Sequence, residues 1–176
     1  MHISELPRKQ FEGFQVVFSY DSTAYYDVKM RAGQNVFVLE FVRAPQPREK
    51  KEWAGALFSP QWEDPRAYGL FDGRDMRALM EVTPERGTNR LRITSLCVQE
   101  GFRRRGYGAL LLTRAKEIAR GARCRAVMLE TQSCNTAAVQ FCLSQGLTLM
   151  GFDACAYSNE DLTRHSVRLD MGCLIG

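Results

Sequence analysis

The chain has 176 residues, 45% of them hydrophobic and 25% charged, values that suit one globular domain with a single core and exclude wholesale disorder. Its net charge is only +4, from 24 basic and 20 acidic residues, too small a surplus to point to nucleic acid as a partner. No apolar run approaches the roughly 18–20 residues of a membrane span, the opening MHISELPRKQFEGF lacks a signal-peptide core, and the irregularly spaced cysteines, with no Cys-x-x-Cys pair, read as reduced thiols of a cytoplasmic protein that binds no metal through them.

In chain order, residues 3–12 read as a short helix with Ser4 as N-cap and Pro7 in its first turn. Strand-forming runs follow at 14–18 and 25–30, and 36–42 (VFVLEFV) is the strongest early strand. Residues 44–52 (APQPREKKE) hold two prolines and a charge run and read as a surface connection with a short helix. Trp53 and Trp62 bracket a second irregular stretch ending at Pro65. It is either a substrate-recognition loop or a solvated insertion anchored by its indoles. Residues 67–71 and 76–82 flank Asp72-Gly73-Arg74-Asp75, a strong hairpin signal. A strand at 91–98 leads to a helix with an apolar stripe of Ala109, Leu111, Leu112, Ala115, Ile118 and Ala119. The run at 126–130 has the composition of a buried central strand. A helix at 135–145 should stop at Gly146, and 147–150 and 167–171 are the last strands. The sum is a mixed sheet flanked by helices, of α+β or α/β class, in a single domain 1–176.

The link between the strand at 91–98 and its helix carries the chemistry. Gln99-Glu100-Gly101-Phe102-Arg103-Arg104-Arg105-Gly106-Tyr107-Gly108 sets three arginines and two close glycines ahead of a helix start. A helix N-terminus leaves backbone N–H groups without helical acceptors, and the macrodipole adds partial positive charge there. Glycine lets an anion approach the main chain and permits φ values closed to other residues. The stretch therefore reads as a phosphate or pyrophosphate cradle. It is not a Walker loop, since no Lys-Ser or Lys-Thr follows, nor a G-x-G-x-x-G dinucleotide fingerprint.

Two blocks resemble the GCN5-related N-acetyltransferase superfamily. The first is Arg103-x-x-Gly106-x-Gly108, similar to that family's [RQ]-x-x-G-x-[GA] cofactor signature. The second is Met128-Leu129-Glu130-Thr131-Gln132-Ser133-Cys134-Asn135, followed by Ala138, Phe141 and Gly146. The resemblance implies a central, mostly antiparallel sheet with a V-shaped splay between two parallel strands. It implies acetyl-CoA as cofactor, held by the backbone of Leu96, Cys97 and Val98, by Arg103, Arg104, Arg105, Gly106, Tyr107, Gly108 and Ala109, and by Asn135. Residues 91–176 would then be the acetyl-CoA-binding core, and 1–90 the N-terminal strands and substrate loops. Met-Leu-Glu-Thr-Gln, the helix from Asn135 to Gly146, Asp153-x-x-x-Tyr157-x-Asn159 and the opening Ile3-Ser4-Glu5 look like the streptothricin acetyltransferase branch. That branch implies a cationic small-molecule amine as substrate. Acetylation of a protein N-terminus or lysine, or an acyl-CoA-binding module without turnover, are the alternatives.

Acetyl transfer needs a neutral amine, so a general base must take its proton, and an acid can protonate the leaving thiolate. Relatives commonly have a carboxylate where Thr94 or Ser95 falls and a tyrosine where Cys142 falls. Glu130 is accordingly the expected base. Tyr157 is the expected acid, because a phenol with pKa ~10 matches a thiol better than a carboxylic acid does. Asp153 is either a contact for a cationic substrate or an ordinary turn residue. The expected assembly is a monomer or homodimer, with no membrane or nucleic-acid partner.

Overall fold

The structure is a computed structural model that describes residues 1–176. Its first elements are β1 (His2–Leu6), α1 (Arg8–Phe11), β2 (Gln15–Gly33), β3 (Val36–Ala56), β4 (Arg66–Asp72) and β5 (Asp75–Glu85). There follow β6 (Arg90–Val98), α2 (Tyr107–Gly121), β7 (Ala126–Gln132), α3 (Thr136–Ser144), β8 (Thr148–Asp153) and β9 (Arg168–Leu174). A seven-stranded sheet runs in the order β1-β4-β5-β6-β7-β9-β8, and β2 and β3 form a separate two-stranded ribbon. The chain divides into two compact units. One comprises Met1–Phe18, Trp53–Leu129 and Cys173–Gly176, the other Ser19–Glu52 and Glu130–Gly172.

In the first unit β1, β4, β5 and β6 pair antiparallel, and β6 pairs parallel with β7. The β4–β5 turn has Gly73 at φ 63 between the paired Asp72 and Asp75. This is the position where a II′ hairpin requires glycine. Side chains alternate across the sheet. One face of β4, β5 and β6 meets α2, whose Leu111, Leu112, Ala115 and Ala119 are buried. The opposite face carries a second cluster, in which Leu6, Val16, Leu57, Phe58, Ala67 and Leu79 are buried together. Glycine 69 on β4 permits this packing: a Cβ there would lie 2.7 Å from Phe71 Cε2 and 3.0 Å from both Leu6 Cδ2 and Met76 Sδ.

In the second unit β8 and β9 pair antiparallel. The turn after β7 is a hub of polar bonds. Ser133 N–H donates to the Val167 carbonyl at 2.8 Å, Ser133 Oγ to the His165 carbonyl at 2.7 Å, and Tyr26 N–H to the Ser133 carbonyl at 3.0 Å. Tyr25 stacks on His165 with centroids 3.5 Å apart, and Phe41 meets Phe152 edge-on.

Two sequence expectations are corrected. Residues 3–12 are not one helix: His2–Leu6 is a strand paired with β4, and only Arg8–Phe11 is helical, with Pro7 as its N-cap. Leu6 is buried while His2 and Glu5 are exposed, as an edge strand allows, and Pro7 begins the helix rather than lying within it. Residues 44–52 are not a connection but the middle of a 21-residue strand. A two-stranded ribbon tolerates Pro45 and Pro47 because each strand uses only alternate backbone groups in its ladder. The charge run pairs along the strand's two faces at i,i+2 spacing: Lys51 with Glu49 at 2.5 Å and Lys50 with Glu52 at 2.9 Å.

The apolar seam of α2 is the main load on the first unit's core. Leu111 is fully buried, so Leu111→Ala is expected to lower unfolding free energy by about 2–5 kcal/mol, read as a fall in the urea midpoint at unchanged slope.

Candidate active site

Strand β6 positions the cradle. Its parallel pairing with β7 runs from Arg90↔Ala126 to Ile93↔Leu129, while its antiparallel pairing with β5 continues to Ala78↔Val98. Residues 95–98 thus have a partner on the β5 side beyond the last β7 pair, which leaves backbone groups of Leu96, Cys97 and Val98 open to a ligand. Cys97 offers main chain rather than a reactive thiolate. Its thiol donates to the Val17 carbonyl at 3.6 Å, and burial pushes its pKa up.

After β6, a 3-10 turn (Glu100–Phe102) brings Arg103 back so that its Nε donates to the Val98 carbonyl at 3.3 Å. Arg104 is left-handed at φ 64, and Gly106 is left-handed at φ 83 as the N-cap of α2. No side chain caps that helix, and its first backbone bond is Leu110 N–H to the Gly106 carbonyl at 3.1 Å. The amides of Tyr107, Gly108 and Ala109 therefore remain for a ligand at the positive end of the helix dipole. A Cβ at Gly106 would meet no protein atom within 4 Å, so it would project into the open space of the cradle. Phe102 organises the surrounding cations. The Arg105 guanidinium lies over its ring at 5.1 Å and that of Arg77 at 4.2 Å, and Tyr107 stacks on it at 6.4 Å. Backbone donors, an absent side chain and fixed guanidinium groups fit a diphosphate.

The second unit brings Glu130 and Tyr157 together, 27 residues apart in sequence, with the phenol donating to Glu130 Oε1 at 3.5 Å. Glu130 is exposed at the end of the apolar stretch of β7. The buried Asp161 sets the loop that carries Tyr157. Its Oδ2 accepts the Tyr157 N–H at 2.8 Å, and its Oδ1 accepts Ser158 Oγ at 2.8 Å. Partial burial, and then the neighbouring Glu130 carboxylate, raise the Tyr157 pKa because both penalise a phenolate. Asn135 caps α3, its Oδ1 accepting the Ala138 N–H at 3.1 Å, which leaves its amide NH2 to donate to a ligand. Asp153 accepts the Cys155 N–H at 3.0 Å, the ordinary turn role. Cys142 lies 1% exposed in α3, and burial pushes its thiol up to about 12, far too weak an acid to serve a thiolate.

One polar group escaped the sequence reading. Glu81, in the middle of β5, is 1% exposed, and its carboxylate accepts the Phe58 N–H and the Thr94 hydroxyl. A single carboxylate inside the apolar run 78–82 was the available signal.

Residues 35–147 match the family model described as the acetyltransferase (GNAT) family. The chain belongs to that family. It is an N-acetyltransferase by descent, and acetyl-CoA is the family's acetyl donor. No curated protein matches the sequence significantly. Among solved structures, the fold is similar to nourseothricin acetyltransferase, at TM-score 0.76 and 20% identity over 99% of this chain and 98% of that one. It is similar also to a Bacillus anthracis protein assigned as a streptothricin acetyltransferase and solved with acetyl coenzyme A, at TM-score 0.78 and 20% identity over 99% and 97% of the two chains. An aminoglycoside 6'-N-acetyltransferase with coenzyme A matches at TM-score 0.57 and 13% identity, over 68% of this chain and 76% of that one.

Two outcomes follow for this acetyltransferase. Gly106→Ala puts a Cβ into the cradle and strains a left-handed residue by ~1–2 kcal/mol, so calorimetry should show acetyl-CoA binding weakened about ten-fold or more with helix content retained. Because a carboxylate neighbour and burial hold the proton on Tyr157, its phenolate should form only well above the ordinary 10.0. The ultraviolet difference titration between wild type and Tyr157→Phe should stay flat below that pH.

Proposed function

We propose that the protein transfers the acetyl group of acetyl-CoA to a primary amine of a cationic small molecule, of the streptothricin kind. The observation that carries the transferase part is the uncapped start of α2 behind the left-handed Gly106, next to the open edge of β6. The substrate part rests on extent of likeness. The matches to the nourseothricin and streptothricin acetyltransferases span nearly the whole of both chains, whereas the aminoglycoside enzyme covers 68% of this one.

Acetyl-CoA, when bound, supplies the activated thioester. Amides from residues 104 to 109 and the guanidinium groups of Arg103, Arg104 and Arg105 hold its diphosphate, the backbone of Leu96, Cys97 and Val98 pairs with its amides, and the Asn135 NH2 donates to its arm. Glu130 accepts the proton that the neutral amine loses as it attacks, and its negative charge favours an acceptor that is cationic elsewhere. Tyr157 stays protonated through the physiological range and gives its proton to the departing thiolate. Asp161 keeps the phenol in place through the Tyr157 N–H.

Incubation with acetyl-CoA and a panel holding streptothricin, lysine amides, polyamines and N-terminal peptides tests this, with release of free thiol as readout. Streptothricin is expected to be turned over with the highest kcat/KM. Glu130→Gln is expected to lower kcat about 10²–10⁴-fold, the usual share of a general base, while acetyl-CoA affinity is unchanged. Turnover of peptides alone would replace the small-molecule reading with a protein acetyltransferase. Tight acetyl-CoA binding without any transfer would replace it with a binding module.

A further inference from the structure

Glu81 is a buried carboxylate with two hydrogen bonds and no paired cation. Its Oε1 accepts the Phe58 N–H at 2.5 Å and its Oε2 accepts the Thr94 hydroxyl at 2.6 Å. Burying an ionised carboxylate without a counter-charge costs several kcal/mol before hydrogen bonds offset it, and an apolar residue would suit the middle of β5 better. Such a residue is a candidate for a role beyond stability.

The sheet places its partner unusually. Opposite Glu81 the register of β6 shifts: Glu81 pairs with Ser95 and Val82 with Ile93, so Thr94 is the extra residue of a β-bulge. A bulge bends the strand and re-aims a side chain. This one sets Thr94 on the face that carries Glu81 and Leu79, away from α2. Thr94 is half-buried while Glu81 is sealed, so only the outer side of the Thr94 hydroxyl can meet a ligand. It is also the first of the five residues of β6 that lack a β7 partner, a stretch of about 16 Å at ~3.3 Å per residue that leads into the cradle.

Hydrogen-bond bookkeeping then decides what Thr94 offers. A hydroxyl has one proton and two lone pairs, and a carboxylate can only accept. The Phe58 amide can only donate, so Glu81 Oε1 is an acceptor, and Oε2 takes the proton of Thr94. What remains on Thr94 is a lone pair facing outward. The same carboxylate holds Phe58, itself left-handed at φ 58, where the 57–65 loop begins. Farther along, the loop is tied to the same face by the Thr83 hydroxyl donating to the Glu63 carbonyl and by Arg86 Nε on Glu63 Oε1 at 2.8 Å.

We propose that Glu81 is a positioning residue for the acceptor amine: by taking the hydroxyl proton of Thr94, it makes Thr94 Oγ1 an obligate acceptor for an N–H of the incoming amine. The inference rests on the acetyltransferase reading above and assigns a group to amine binding, distinct from the proton acceptor Glu130.

The test measures KM for the best amine of the panel, acetyl-CoA affinity by calorimetry and thermal stability, on four variants. In Glu81→Gln the amide oxygen can still accept from Phe58. Its NH2 then donates to Thr94, turning the hydroxyl proton outward. KM for the amine should rise about ten-fold or more, the scale of one lost hydrogen bond to a charged group, with acetyl-CoA affinity unchanged. Thr94→Val should show the same split, Thr94→Ser should restore the wild-type KM, and the double variant Glu81→Gln with Thr94→Val should be no worse than Thr94→Val alone. If Thr94→Val leaves the amine KM unchanged, or if acetyl-CoA affinity falls in parallel, the proposal is overturned and Glu81 is only a pin for the loop. The Thr94 pair decides the matter even if Glu81→Gln does not fold. Wild type that acetylates no amine overturns the acetyltransferase reading and this inference with it, whereas active wild type with silent variants overturns this inference alone.

Discussion

Strand β6 is asked to do two incompatible things, and the fold is arranged around the conflict. On the β5 side it must stay paired to its end to remain in the sheet, and the register holds to Ala78↔Val98. On the β7 side its pairs end at Ile93↔Leu129, and the backbone beyond is what the proposed function gives to the cofactor. A flat, regular strand offers no place to change between these conditions. The bulge at Thr94, one residue beyond the last parallel pair, supplies it by bending the strand and raising its local twist. The unpaired stretch is then held from one side by β5 and from below by α2, whose buried Leu111, Leu112 and Ala115 seal the opposite face.

The cradle follows from the same economy of backbone groups. Helix α2 has no side chain to cap it, and a helix started in that way leaves donors unsatisfied unless water or a ligand serves them. The left-handed residues Arg104 and Gly106 turn the chain sharply enough that those donors open toward the end of β6. Strain at a non-glycine residue such as Arg104 costs of order 1–3 kcal/mol and persists where the surroundings over-determine it. Here Arg103 bonded to the Val98 carbonyl on one side and Phe102 between guanidinium groups on the other provide that constraint.

What could be read from the chain alone divides along the range of the interactions. The glycine-containing turn ahead of α2, α2 with its stripe, the Asp72-Gly73 hairpin and the Asn135 cap at α3 are set by residues within a few positions of one another, and each lies where local chemistry puts it. In the ribbon of β2 and β3 the strands expected at 14–18, 25–30 and 36–42 lie where the sequence puts them, and only residues 44–52 are read otherwise, for a physical reason. The ribbon's apolar residues Val36, Phe37, Val38 and Leu39 are exposed, Phe37 at 84%, so they do not report burial. Prolines and charges that would break a central strand are harmless in a two-stranded one. Strand β1 was hidden likewise, because its only ladder is to β4, some 60 residues away. Glu81 is the extreme case. Its one mark in the sequence is to be a carboxylate inside the apolar run 78–82, and its role stays hidden because both of its partners, Phe58 and Thr94, arrive from other elements. Cys142 shows the converse, a residue flagged by comparison of motifs that packing reduces to a buried small hydrophobe.

The pairing of Tyr157 with Glu130 orders the proposed proton transfers in time. Burial, and then the ionised Glu130 beside it, disfavour a phenolate and keep the proton on Tyr157. An acid held so firmly would be poorly matched to a thiolate whose ordinary pKa is ~8.5. Once Glu130 has accepted the proton of the amine, that repulsion is gone, and Tyr157 becomes a stronger acid at the moment the leaving group needs one. The buried Asp161, which holds the main chain at Tyr157 rather than its hydroxyl, keeps the phenol oriented.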